Sequence, residues 1–320
     1  MLIDAHPPAR ITSARVTSTS PDPPPPRAPT LCLGDPIVEF VCERPVSDVS
    51  EGDAFVPRFG GAVPNVAVAA ARRGAHIALA GGAGDDAWGR WLEDRLRREG
   101  VGTEWFQLVA DAQTPVAIAT VDRVGEPSRQ VYGDRVAATL GGDRLEDAVR
   151  RSAALYMSVG GPEGNEMTMR AREHALSLER PIVFDPQISV ERWRSRAEAA
   201  AAANACVPNA LLVCATEGDA ALMTGEDDPE RAALALLKAG AGMVVITLGP
   251  EGAILRGQLR LDVDGVAETV VSAAGAGEVL TGVLLARLAK SAFYPSAVAA
   301  SLPEAVAEAA RASERRGALE

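Results

Sequence analysis

Aromatic residues are scarce in this 320-residue chain, at 4% of the total, while apolar residues as a whole reach 47% with alanine and valine carrying much of the share. Small apolar side chains suit helices packed closely on buried parallel strands, and so large an apolar fraction excludes wholesale disorder. Histidine occurs three times, at 6, 76 and 174, and cysteine four times, at 32, 42, 206 and 214. No CxxC pair is present, and no cysteine stands beside a histidine at a zinc spacing, which removes the zinc-module and disulfide-scaffold classes. Cys32 and Cys214 lie inside apolar runs and read as reduced core residues. A basic block is also missing. The net charge is -11, and pairs such as Arg72-Arg73 and Arg97-Arg98 read as solvated helix faces, so neither nucleic acid nor an anionic membrane is an expected partner. No stretch reaches the roughly 18 apolar residues of a membrane helix. The N-terminus lacks the apolar core of a secretory signal, which makes the cytoplasm the expected compartment.

The length allows one large α/β domain or two small ones. Residues 1–30 contain Ser20-Pro21-Asp22-Pro23-Pro24-Pro25-Pro26, which can neither pair in a sheet nor continue a helix, and they read as a proline-rich disordered tail ahead of a domain over 31–320. From Leu31 onward strand and helix signals alternate. Leu31-Cys32-Leu33-Gly34 is a short apolar run ending in glycine. Val63 to Arg73 is helical and stopped by Gly74. His76 to Ala80 reads as a strand, and Trp88 to Glu99 as an amphipathic helix closed by Gly100. Further strands are expected at Val116–Val121, Arg129–Tyr132, Ala154–Val159, Ile182–Phe184, Leu211–Cys214, Met243–Thr247 and Ala253–Leu255, with helices over 166–178, 191–203, 229–238, 276–290 and 301–315. The alternation predicts parallel βαβ units in one layered sheet. Segments 36–60 and 105–135 are hairpin-like, the second turning around Gly125, and are expected to form a small separate sheet.

Four glycine-rich turns carry the chemistry. In Ser272-Ala273-Ala274-Gly275-Ala276-Gly277-Glu278 a glycine turn opens a helix, whose unpaired N–H groups and positive dipole end favour a phosphate or a developing anion, with a carboxylate placed to face the same point. A plain helix-start turn with an acid favoured by the dipole accounts equally well for those residues alone. In Gly60-Gly61-Ala62-Val63-Pro64-Asn65 two glycines permit close approach of backbone to a ligand, Pro64 fits a first helical turn, and Asn65 offers both a donor and an acceptor to hydroxyl groups. An ordinary loop-to-helix junction has the same features. Gly81-Gly82-Ala83-Gly84-Asp85-Asp86-Ala87-Trp88-Gly89 and Thr247-Leu248-Gly249-Pro250-Glu251-Gly252 are, taken singly, structural turns.

Taken together, in this order and spacing, these turns resemble those of the ribokinase family, also called the phosphofructokinase B family. Gly34-Asp35-Pro36-Ile37-Val38-Glu39-Phe40 is similar to the opening of fructokinases and 2-keto-3-deoxygluconate kinases. The resemblance implies an α/β, ribokinase-like three-layer fold with a mostly parallel central sheet and a small β-sheet lid. It implies transfer of the γ-phosphoryl group of ATP, with Mg²⁺, to a hydroxymethyl group of a neutral sugar or nucleoside. Glu278 takes the place of the family's base, and Gly275, Ala276 and Gly277 that of its anion hole. Glu39, Gly60, Gly61 and Asn65 fall at sugar-binding positions, and Thr247, Gly249 and Gly252 at nucleotide-binding ones. Lids in the family often pair between subunits, so a homodimer through the lid is expected. The chain departs from the pattern in several places. Glu39 and Glu278 replace aspartates. Ser272-Ala273-Ala274 replaces a run that usually begins Asp-Thr. Thr216-Glu217-Gly218-Asp219 stands for an Asn-x-x-Glu motif, which leaves Asp219 as the residue to organise Mg²⁺ through water. Asp185-Pro186-Gln187-Ile188-Ser189 stands for Asp-Pro-Asn-x-Arg, and the lost arginine argues against an acidic sugar.

Two functional classes follow. An active kinase keeps the essentials, since phosphoryl transfer depends on positioning and charge stabilisation. A catalytically impaired member that binds sugar or nucleotide and acts through a partner would account for the lost polar groups. A third reading, a dinucleotide-binding oxidoreductase, is weak, because no GxGxxG follows the first strand with an acid about 20 residues on.

Overall fold

A computed structural model describes residues 28–123, 127–133, 141–266 and 275–314. The proline run, Gly125 and Ser272-Ala273-Ala274 lie outside the described residues. The fold is built on β1 (Thr30–Leu33), β4 (Ile77–Gly84), β5 (Phe106–Val109), β8 (Ala154–Met157), β9 (Ile182–Phe184), β10 (Leu212–Thr216), β11 (Met243–Thr247), β12 (Gly252–Gly257) and β13 (Leu261–Asp264). These form one sheet in the order β13-β12-β11-β10-β9-β8-β1-β4-β5, parallel except at β11–β12 and β12–β13.

Successive residues of each central strand enter opposite cores. Leu31 and Leu33 pack with α3 (Gly142–Arg150), α4 (Asn165–Ser177), α5 (Arg196–Cys206), α6 (Glu217–Thr224) and α7 (Pro229–Lys238). Cys32 packs with α1 (Ala62–Arg72), α2 (Ala87–Arg98), α8 (Ala276–Lys290) and α9 (Ser296–Ser313). Both sheet faces are thus covered, the reason these strands read as continuous apolar runs. The result is three layers, as expected. Strand order reverses at β1, which has β4 on one side and β8 on the other. In an open parallel sheet ligands bind beyond the carboxyl ends of the strands at such a reversal.

A second sheet, in the order β3-β2-β6-β7, is formed by β2 (Ile37–Cys42), β3 (Phe55–Gly60), β6 (Val116–Val121) and β7 (Pro127–Tyr132). It is antiparallel within each hairpin and parallel where β2 meets β6. Phe40 of β2 meets Trp88 of α2 edge-on at 5.4 Å, and Trp88 meets Trp91 at 5.8 Å, which ties the small sheet to the body.

Several expectations are corrected. Phe106–Val109, within the segment assigned to the lid, is the edge strand of the large sheet, paired with β4. The strand expected to stop at Ala80 continues to Gly84. Its glycines are compatible with that because Gly81 lies against Gly34, whose carbonyl oxygen would stand 2.2 Å from a Cβ. The helix expected over 191–203 is a short 3-10 turn, Val190–Arg192, followed by α5, which Ser195 caps by accepting from the N–H of Glu198. α9 starts at Ser296, ahead of the expected 301, and α3 and α6 were not anticipated.

Candidate active site

The loops that follow β1, β8, β9, β10 and β11 converge at one edge of the large sheet, facing the small sheet, and enclose two cavities. The smaller, about 160 Å³, is lined by Asp35, Gly61, Arg129, Ser158, Gln187 and Arg192, among others. The larger, about 330 Å³, is lined by Thr216, Thr247, Gly249, Gly252, Ala276 and Gly277 together with an apolar wall of Val306, Ala309 and Ala310.

Gly275 is the N-cap of α8 at φ 90°, a conformation that favours glycine. Its carbonyl accepts from the N–H of Val279 at 3.0 Å. A Cβ at Gly277 would meet nothing within 4 Å, so the turn opens onto the larger cavity. Glu278, in the first turn of α8, is partly buried. Loss of water pushes its pKa above the ordinary carboxylate range; the charge of Glu39 adds to the rise and that of Arg129 opposes it. One residue apart in sequence, Gly277 borders the larger cavity while Glu278 senses lid charges at the smaller.

Beside it lies a second buried acid. Asp185, at the carboxyl end of β9, accepts from Thr281 Oγ1 at 3.0 Å, from Gln187 Nε2 at 3.3 Å and from the Tyr156 hydroxyl at 3.4 Å. Burial, followed by the charge of Asp219, drives its pKa well up, with Glu278 adding to the effect. Asp219 accepts weakly from the N–H of Ile188 at 3.4 Å, while its own N–H donates to Thr216 Oγ1 at 3.1 Å. Its pKa is raised, again mainly by burial. Among the described residues no group of three or more His, Cys, Asp or Glu is close enough to hold a metal ion by itself. Three desolvated carboxylates, of which Asp185 is pushed further up by the charges of the other two, are nonetheless a setting that a hard divalent cation with retained waters would relieve.

The residues expected to bind sugar are distributed unevenly. Gly61, at φ 104°, starts α1 and lines the smaller cavity. A Cβ there would stand 2.8 Å from the Asp35 carbonyl oxygen. Gly60 does not line the cavity but makes room for Glu39, since a Cβ would fall 2.5 Å from the Glu39 carboxyl carbon. Glu39 reaches the cavity through Arg129, with Oε1 2.9 Å from Nη2. Asn65 is buried in the first turn of α1, and its Oδ1 has no hydrogen-bond partner. A buried orphan acceptor is costly unless something fills it. Of the nucleotide-side residues, Gly252, at φ 110°, is fixed by close packing, because a Cβ would stand 2.0 Å from the Val263 carbonyl oxygen, whereas Gly249 faces open space.

Three cavity residues escaped the sequence reading. Asp35 Oδ1 accepts from the N–H of Gly82 at 3.0 Å; its position directly after the first strand, opposite a glycine pair with available donors, was the signal. Arg192 lines the cavity three residues beyond Ser189, the position at which the family pattern has its arginine, and lies over Gly161, where a Cβ would stand 2.6 Å from its Cζ. Arg129 belongs to an exposed lid strand, where no local pattern distinguishes a functional cation from a solvated one. Asp86, in contrast, is structural: it caps α2 through Gly89 N at 2.8 Å and accepts from Thr114 Oγ1 at 2.7 Å.

The sequence profile described as pfkB family carbohydrate kinase matches residues 30–317. The chain is 28% identical over 265 residues to "Fructokinase-1" of Oryza sativa subsp. japonica, covering 81% of this chain and 82% of the relative. Among solved structures it is similar to fructokinase from Vibrio cholerae O395 in its fructose, ADP and calcium ion bound form, with TM-score 0.78 and 23% identity over 92% of this chain and 95% of that one. It is also similar to aminoimidazole riboside kinase from Salmonella enterica complexed with aminoimidazole riboside and an ATP analog, with TM-score 0.77 and 21% identity over 91% and 95%.

Proposed function

The chain belongs to the pfkB family of carbohydrate kinases, and on that premise we propose that it transfers the γ-phosphoryl group of ATP to a hydroxymethyl group of a neutral sugar or nucleoside. The observation that carries the reading is the position of the α8 start. Ala276 and Gly277 border the larger cavity, and Glu278 feels the charges of Glu39 and Arg129 at the smaller. A donor nucleotide fits the larger cavity, whose wall of Val306, Ala309 and Ala310 suits a base. The acceptor fits the smaller, where Asp35 and Gln187 offer polar groups to hydroxyls and the neighbouring Asn65 Oδ1 is unpartnered.

Glu278 takes the proton of the attacking hydroxyl. Its raised pKa serves that role, because a base works best with a pKa near the working pH. The N–H groups at the start of α8 and the dipole of a 15-residue helix oppose the negative charge that builds on the transferring group. Asp219 would hold Mg²⁺ through water, with Asp185 next to it in the charge network. Bound Mg²⁺ supplies charge neutralisation at the phosphates. Glu39 and Glu278 each place a carboxylate one methylene further from the backbone than the family's aspartate does. The alternative of a non-catalytic member finds no support, since the relatives carry the names of kinases.

The test is phosphorylation of a panel of hexoses, pentoses and nucleosides with ATP and Mg²⁺, read as the phosphorylated product. One or more acceptors are expected to turn over. No product from any acceptor, with nucleotide binding intact, overturns the proposal.

A further inference from the structure

The site is rich in carboxylates. Glu278, Asp185 and Asp219 are all held above the ordinary carboxylate range by burial, and Asp185 also by the charges of the other two. A phosphoryl group entering this setting meets the helix dipole, equivalent to only about half an elementary charge. Among the described residues that line the larger cavity there is no lysine or arginine. Full positive charge comes instead from the smaller cavity, through Arg192 and Arg129, and of these Arg129 is the cation that acts on Glu278.

Arg129 is held by the lid in a definite way. It stands on β7 opposite Ala119 of β6, whose side chain is a single methyl group, and its guanidinium extends past β6 to Glu39 on β2. Gly60 on β3 leaves the space that Glu39 occupies. The Arg129 side chain is 42% exposed and that of Glu39 25%. An ion pair this accessible to water is weak, so the guanidinium can exchange a carboxylate for phosphoryl oxygens at small cost. Its planar fork matches either anion in the same bidentate manner.

We propose that Arg129 neutralises the transferring phosphoryl group, so that the lid completes the catalytic site in addition to covering the acceptor. The inference rests on the kinase reading above. In the step, the acceptor hydroxyl oxygen bonds to the γ-phosphorus as the bond from phosphorus to the β–γ bridging oxygen breaks. ADP leaves with that electron pair, the hydroxyl proton passes to Glu278, and Arg129 stays protonated throughout, contributing charge and no proton.

The experiment compares wild type, Arg129→Gln and Arg129→Lys, with thermal unfolding as the check on folding. Calorimetry measures binding of ADP alone and of ADP with aluminium fluoride, a planar phosphoryl mimic, both with MgCl2 and D-fructose present. Arg129→Gln is expected to weaken the aluminium fluoride complex by roughly 10²-fold, the scale of one lost charge-stabilising donor. ADP alone should bind within about twofold of wild type, since its binding is uniform with respect to the lost group. Arg129→Lys, keeping the charge without the fork, is expected between the two. The inference is overturned if wild type forms no such complex, if both nucleotide forms weaken equally, or if only the affinity for D-fructose changes. A wild type that turns over an acceptor, with kcat unaltered in Arg129→Gln, likewise overturns it while leaving the kinase reading in place. Arg129-dependent complex formation in a protein that turns over nothing does the reverse.

Discussion

The large sheet and the lid solve opposite problems with the same kind of element. Strands β8 and β9 are wholly buried, with Tyr156, Met157, Val183 and Phe184 fully enclosed, because helices cover both faces. The lid strands are only partly buried, and Val131 and Tyr132 on β7 are 45% and 50% exposed. The carboxylates of Glu278 and Asp185 stand on the helix packed against the buried sheet and at its carboxyl edge. The lid instead bears Glu39 and Arg129 on a surface that water reaches. Rigid packing keeps carboxylates deprived of water in place, while an element with few buried contacts can open and close.

The sharpest way to break this division is at Glu278, the proposed base. Glu278→Gln is expected to lower kcat by about 10²–10⁴-fold, with the affinity for ADP retained in calorimetry. An equal loss of ADP affinity would mean that the residue serves binding and not proton transfer. Glu278→Asp then reports on the longer side chain: a faster variant means that glutamate holds the carboxylate off its best point, and a slower one that the pocket is shaped for glutamate.

Stability should divide along the same line. Phe184→Ala, in the centre of the large sheet, is expected to cost about 3–5 kcal/mol in urea unfolding. Phe40→Ala, on the lid, loses an edge-on aromatic contact and part of a half-buried ring, and should cost about 1–2 kcal/mol. Equal costs would show that the lid is as firmly packed as the body.

A smaller effect is expected at the boundary between the two. Asn65→Ala should weaken binding of the acceptor, identified by the phosphorylation panel, by about 1–3 kcal/mol if its Oδ1 is filled by ligand. Unchanged affinity in a folded variant would remove Asn65 from the site.

The subtlest comparison is with pH. Asp185, Asp219 and Glu278 have raised pKa values in the folded protein, so above the ordinary carboxylate range the native state binds more protons than the unfolded one. Stability is then fully present below that range and is lost as pH rises through the raised folded values. Asp185→Asn should flatten the fall in the melting temperature between mildly acidic and neutral pH. An unaltered profile would mean that Asp185 does not titrate as its burial implies.

Much of the body was legible because its signals are local. Pro229–Lys238 and Ala276–Lys290 begin and end where expected, since a capping aspartate with proline, and a glycine turn, mark their starts. α3 and α6 were missed for want of length: at 9 and 8 residues they offer barely two turns of periodicity. Phe106–Val109 was placed with the lid because four residues of β character carry no label of the sheet they join. The glycine turns of the site were equally visible, as close backbone approach leaves few alternatives to glycine. Arg129 was not, because it looks like a solvated surface arginine, and the motif that begins at Asp185 carries no sign of the charges that surround it once folded.

The sequence by itself determined the layered α/β class, the glycine turns and the carboxylate at 278, because periodicity, backbone conformation and chemical type are properties of neighbouring residues. Only the tertiary structure decided which charges meet. The Glu39–Arg129 pair joins two hairpins, and the bond from Thr281 to Asp185 spans 96 residues. Electrostatics acts through space and depends on burial, so the pKa of Glu278 and the cation that opposes it exist only once lid and sheet edge are brought together.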